Sequence, residues 1–143
     1  MNYNEIPNIL VDSVVLPIKP LSNLEIIDAA NKLSLYGFRG VFLIDTLPKK
    51  AKLNECGILN LDSSSDGDTH WVMWFRKGKD KFYFDSYGVQ PPSELIAYLR
   101  SPIFYNSGRV QQNDEVFCDH LCLFALKKLY LGNNLQAVIH YLI

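Results

Sequence analysis

The stretch that decides the fold is HWVMWFRKGKDKFYFD, residues 70–85. Two runs of aromatic and β-branched residues, His70–Phe75 and Lys81–Asp85, flank a polar RKGKD segment. Such runs favour pleated strands, and Lys and Gly between them favour a tight turn, so the stretch predicts an antiparallel hairpin. A two-residue turn at Lys77-Gly78 sets His70 directly opposite Asp85 on one face, with Cβ atoms about 4.5–5.5 Å apart. A four-residue loop, Lys77–Asp80, shifts the pairing by two and leaves them diagonal neighbours on that face. In both registers a carboxylate reaches one imidazole nitrogen and fixes the ring and its tautomer.

Around this hairpin the chain reads as helix, strands, then helices. Pro7, Pro17 and Pro20 exclude a helix over residues 1–20. Ser22 or Asn23 caps a predicted helix from Leu24 to Leu35, with Ile26, Ile27, Ala30 and Leu33 at roughly helical spacing and Gly37 as its stop. Strands are expected within Phe38–Ile44, over Gly57–Leu61 and near Arg109–Val110, and SSSDGD at 63–68 is a loop by composition. Ser93 caps a short helix to about Arg100. CDHLCLFALKKLYL, 118–131, is apolar nearly all round and predicts a buried helix. A last helix spans Leu135 to Leu142. This order gives an α+β class, a small mixed β-sheet packed against a central helix that starts at Cys118, and not alternating βαβ units.

The chain has 143 residues, a length that suits one compact domain over 1–143. Hydrophobic residues make up 48% and charged residues 20%, an ordinary globular balance that needs no disulfides. The net charge of −1 gives no argument for nucleic-acid binding. Three cysteines at uneven spacing, Cys56, Cys118 and Cys122, are a poor disulfide framework. No run reaches the roughly 18 apolar residues of a membrane span, and the first residues do not read as a signal peptide. A reducing compartment, without secretion and without membrane attachment, is the expectation.

Cys118 opens the buried helix, where unpaired N–H groups and the helix dipole favour a thiolate. The same N–H groups hold a developing oxyanion, and Gln111 and Gln112 upstream offer a side-chain amide for it. Thiolate, base, carboxylate and amide donor make up an acyl-transfer set. Each member also has a plainer role: His70 as a strand residue, Cys118 as packing, Asp85 as a turn residue, the glutamines as surface. Cys122, Cys56, His120 and His140 read as structural.

The pieces FRGVFLIDTLPKK (38–50), NECGILNLD (54–62), THWVMW (69–74), YFDSYG (83–88) and QQNDEVFCDHLCLF (111–124) resemble the adenovirus-type (adenain-like) cysteine endopeptidases, also found in Polinton or Maverick elements and related double-stranded DNA viruses. The order His, Asp, Cys with a glutamine shortly before the cysteine is the specific part. The resemblance implies His70 as base, Asp85 as acidic member, Cys118 as nucleophile and Gln111 as oxyanion glutamine. Six residues separate Gln111 from Cys118, as in the adenovirus enzyme; Gln112 leaves five, as in the related ubiquitin-like-protein proteases.

The resemblance further implies a thiol protease of the adenovirus-protease and ubiquitin-like-protease fold, acting in virion maturation. It would cut capsid and other viral precursor polypeptides after small residues, often glycine, in the virion and the infected host cell, nucleus or cytoplasm. The sequence itself requires no cofactor or metal; an activating peptide or DNA enters by resemblance only, and a monomer is expected. The alternatives are a ubiquitin-like-protein-specific protease on the same fold and a catalytically silent scaffold. Asp119 departs from the family, which places Gly after the nucleophile. If it turns to solvent or caps the helix, it raises the Cys118 pKa only modestly, and Asp119→Gly raises activity.

Overall fold

The computed structural model describes residues 8–11, 14–17, 21–61, 70–110 and 118–142. Five strands form one mixed sheet: β3 (Phe38–Leu43), β4 (Asn54–Asn60), β5 (Trp71–Lys77), β6 (Asp80–Phe84) and β7 (Phe104–Tyr105), in the order β3-β4-β5-β6-β7. The β4–β5 and β5–β6 pairs are antiparallel; β3–β4 and β6–β7 are parallel. Four helices accompany them: α1 (Asn23–Lys32), α2 (Ser93–Leu99), α3 (Cys118–Tyr130) and α4 (Leu135–Leu142). The class is α+β, a mixed sheet with a helix beginning at Cys118 packed on it.

Period-two alternation divides the core between the sheet's two faces. Trp71, Met73 and Phe75 join Cys56, Ile58 and Phe84 against Ile26, Ala29 and Ala30 of α1, Cys122, Leu123 and Leu126 of α3 and Val138 of α4. Val72 and Trp74 pack with Leu59 and Tyr83 against Leu95 and Leu99 of α2 on the other face. Burying each such side chain stabilises by about 1.5–3 kcal/mol. Gly57 faces Trp74 across the β4–β5 ladder, and a Cβ there would stand 2.3 Å from the indole ring, so only glycine admits it.

The hairpin takes the shifted register. Lys77 pairs with Asp80, Arg76 with Lys81 and Met73 with Phe84, so the turn is Gly78-Lys79 rather than Lys77-Gly78. Gly78 adopts φ 62°, a left-handed conformation glycine enters without steric cost. His70 and Asp85 are therefore diagonal neighbours, each one residue outside its strand.

The structure corrects two expectations, the end of α1 and the Arg109–Val110 strand, and adds two features to the others. The first residues hold a hairpin, β1 (Asn8–Val11) with β2 (Val14–Pro17); the prolines exclude a helix but tolerate strand ends. Helix α1 ends at Lys32, because Ser34 turns to φ 56°; Ser22 is its cap, in a reciprocal pair with Glu25. No strand forms at Arg109–Val110: the seventh is Phe104–Tyr105, and the Val110 N–H donates to Ser86 O at 2.8 Å. Because β7 runs parallel to β6 with α2 between them, the fold does contain one βαβ crossover.

Candidate active site

His70 and Asp85 meet at the end of the β5–β6 ladder. His70 Nε2 lies 2.6 Å from Asp85 Oδ1, with side-chain exposures of 16% and 3%. Asp85 is over-determined. Its Oδ1 also accepts the Tyr87 N–H at 2.8 Å, and its main chain is gripped on both sides by buried Asn106. Asn106 Oδ1 accepts the Asp85 N–H at 3.1 Å, and its Nδ2 donates to the Asp85 carbonyl at 2.6 Å. Gly88 closes the turn with its N–H on Asp85 O at 2.8 Å and φ 74°. A Cβ at Gly88 would sit 2.8 Å from the Gly108 carbonyl carbon, so YFDSYG and YNSG pack backbone to backbone.

Cys118, the first residue of α3, is buried on the other side of His70. Its Sγ accepts the Trp71 N–H at 3.4 Å, and Cys122 Sγ, one helical turn on, donates to the Trp71 carbonyl at 3.4 Å. The two cysteines thus hold the backbone of one residue of β5, Trp71, on its N–H and its carbonyl, next to His70. This ties the thiol to the imidazole through the backbone. Cys122 is packing, as its sequence context predicts, and also an anchor; burial, then the Cys118 charge, raises its pKa well above the usual thiol value.

His70 Nδ1 is buried and has no hydrogen-bond partner among the described residues. Burial alone would lower the His70 pKa. The hydrogen bond to Asp85, followed by the influence of the Cys118 sulfur, reverses this and raises it to about 9. The sulfur therefore acts on the ring without full hydrogen-bond geometry at Nδ1; contacts of this kind tighten when substrate is present. An imidazolium held so firmly suits a thiolate partner.

Gln111 and Gln112 lie outside the described residues. Cys56 is buried, and its pKa is raised to about 12 by burial and then by Glu55, which makes it an inert thiol. His140 is exposed on α4.

Asp119 does not behave as expected. It neither faces solvent nor caps its own helix; it is fully buried. Its Oδ2 accepts the Leu21 N–H at 2.8 Å, and its Oδ1 accepts the His120 N–H at 2.9 Å and faces His120 Nδ1 at 2.8 Å. Asp119 thus bolts the segment before α1 to the first turn of α3. His120, read as an ordinary helix residue, is its buried partner.

Sequence reasoning missed three more residues. The Tyr87 ring stacks on His70 with centroids 4.2 Å apart and planes within 3°. The Arg109 guanidinium lies 4.7 Å from the Tyr87 ring centre. Asn106 holds the Asp85 backbone, as described. The DSYG turn signal placed Tyr87 near the site, but nothing in spacing or periodicity marks Asn106 or Arg109.

No described protein family and no curated protein matches the chain by sequence. Solved structures do match. The chain is similar to the ASFV pS273R protease, with a TM-score of 0.61 and 17% identity over 86% of this chain and 62% of that one. A selenomethionine form of that protease gives a TM-score of 0.51 and 21% identity over 66% of this chain and 40% of that one. The fold is that of the ASFV protease. The chain spans 40% to 62% of the length of the structures it matches.

Proposed function

We propose that this chain is a cysteine endopeptidase acting on viral precursor polypeptides. The observation that carries the reading is His70 Nε2 at 2.6 Å from Asp85 Oδ1, with Cys118 Sγ on the N–H of the next residue, Trp71, and a buried Nδ1 without a partner among the described residues. The resemblance to adenovirus-type proteases and the shared fold with the ASFV protease support it.

In this reading the Cys118 thiolate attacks the scissile carbonyl carbon. His70 gives its proton to the departing amine, leaving a thioester. Water then attacks the thioester, His70 takes its proton, and the acid leaves as the thiolate is restored. Asp85 holds the imidazole. The Cys118 N–H and Gln111, or its neighbour Gln112, donate to the oxyanion. The substrate class is capsid and precursor polypeptides cut after small residues, often glycine, within the virion and infected cell. The adenovirus-like and Polinton-like affiliation, activation by a peptide or DNA, and a monomeric state belong to this same proposal.

The test combines labelling with cleavage. Iodoacetamide should modify Cys118 in preference to Cys56 and Cys122, and glycine-containing precursor peptides should be cut by the wild type but not by Cys118→Ala. Gln111→Ala should lower kcat by about 10²–10³, the scale for losing one oxyanion donor; that loss in Gln112→Ala alone would move the role by one residue. Labelling without cleavage of any peptide would favour the silent scaffold. Reaction with a ubiquitin-like C-terminal electrophile would favour the modifier-directed alternative.

A further inference from the structure

At the opposite end of β5 from His70 lies a cleft of about 540 Å³ on the α2 face, lined by five cationic residues, Lys49, Lys50, Arg76, Lys81 and Arg100, and by no acidic residue. The chain as a whole carries 14 basic and 15 acidic residues, so this concentration is local and not a product of composition. None of the five makes a salt bridge among the described residues. The nearby carboxylate of Glu55 is committed elsewhere, to Arg39 at 2.9 Å, Trp74 Nε1 at 2.8 Å and the Tyr98 hydroxyl at 2.6 Å.

Three features here each oppose stability. Arg76 is directly paired with Lys81 across the β5–β6 ladder, a like-charge contact that destabilises a sheet, and the Glu55 opposite it on β4 spends its carboxylate on Arg39, Trp74 and Tyr98. Lys81 is only 9% exposed, and burial, then Arg76 and Arg100, lower its pKa. Arg100 adopts φ 68°, a left-handed conformation that non-glycine residues rarely enter, and its carbonyl receives the Lys81 Nζ at 2.9 Å. Converging local costs of this sort mark functional sites. Arg76 commits only its Nε, to Gly78 O at 3.0 Å, so its two terminal nitrogens are available to a planar or tetrahedral anion.

We propose that this cleft is a binding site for a compact polyphosphate, several phosphate groups carried on one small molecule. The volume holds a few phosphates rather than a length of duplex, and the cations come from three separate segments, the loop after β3, the β5–β6 hairpin and the end of α2, so they surround the cleft. Arg76 and Arg100 clamp phosphate oxygens, Lys81 supplies a point charge at the base, and Lys49 and Lys50 close the rim. Ala51, Leu53, Ala97 and Tyr98 offer an apolar wall to whatever carries the phosphates. The site is independent of the catalytic reading.

The test is calorimetric titration of the full chain with inorganic tripolyphosphate and with ATP, at ionic strength matched with NaCl. A saturable one-to-one isotherm with tripolyphosphate is expected. ATP binding at equal strength would assign recognition to the phosphates alone; tighter ATP binding would add the apolar wall, and either outcome supports the site. Lys81→Met and Arg76→Gln should each weaken binding at least tenfold; both remove a like-charge contact, and since Lys81→Met also gives up its bond to the Arg100 carbonyl, the Tm of each free variant checks that it is folded. Lys32→Gln, an exposed lysine on α1 across the sheet, should leave the affinity unchanged. Equal binding by Lys81→Met and wild type would overturn the proposal. So would a response that merely tracks ionic strength, or saturable binding of duplex DNA without binding of tripolyphosphate.

Discussion

The two ends of the β5–β6 ladder use charge in opposite ways. At one end His70 and Asp85 are complementary, 2.6 Å apart, and fixed by Asn106, Tyr87 and the two cysteines of α3. At the other end Arg76 and Lys81 are directly paired with the same sign and make no salt bridge among the described residues, the carboxylate of Glu55 on the next strand being bonded to Arg39, Trp74 and Tyr98. One pair of strands thus presents opposite charges at its open end and like charges at its hairpin end. Neutralisation is internal in the first case. In the second it must come from outside, and the ladder between them holds both in place without coupling their charges.

The sharpest way to break the complementary end is Asp85→Asn. The amide keeps the shape but loses the charge that orients the imidazolium, and kcat should fall by about 10⁴ in a peptide-cleavage assay. Stability should respond with pH as well. A His70 pKa raised from 6.5 to about 9 contributes stability that is full below pH 6.5 and lost as pH rises through about 9. Denaturant titrations should therefore show the wild type losing up to about 3 kcal/mol between pH 6 and pH 10, and Asp85→Asn losing much less. An unchanged pH profile in the variant would show that Asp85 is not what holds the proton on His70.

Asp119→Gly comes next in size. It removes the acceptor of the buried Leu21 N–H and the carboxylate that faces His120. Leaving a buried donor without its acceptor costs about 1–3 kcal/mol, so the variant should unfold at lower denaturant. A gain in activity without that loss would restore the solvent-facing picture of Asp119.

Tyr87 is a finer probe. Its stacking on His70 is worth about 0.5–1.5 kcal/mol, so Tyr87→Ala should lower kcat by up to about tenfold with little change in KM. Tyr87→Phe keeps the ring and should retain most of the rate; equal losses in both would move the role from the ring to the hydroxyl.

The smallest effect belongs to the hairpin end. Arg76→Gln removes the like charge opposite Lys81 and, on the other side, the cation opposite Glu55, whose carboxylate is already shared by Arg39, Trp74 and Tyr98, so it should stabilise the protein by at most about 0.2–1 kcal/mol. A loss of stability would mean that the Arg76–Lys81 contact already has a counter-charge.

Much was legible in the sequence because it is written in local periodicity. Alternation in HWVMWF and KFYF gave the hairpin, a nearly all-apolar CDHLCLFALKKLYL gave the buried helix, and the Ser22–Glu25 spacing gave a helix start. Residues 70 and 85 share a face by the period of two, whichever turn is used, so their proximity follows from sequence alone.

What only the tertiary structure decided has no local period. The turn moved to Gly78-Lys79 because a glycine in the left-handed region and the Lys77–Asp80 pair together set the register. The edge strand fell at Phe104–Tyr105 because parallel pairing depends on where α2 returns the chain. Asp119 turned inward because a backbone N–H from Leu21, distant in sequence, needed an acceptor inside the core. Sequence patterns specify which face a residue lies on; the partner it meets there depends on how remote segments pack, and a buried polar group takes whichever partner that packing brings.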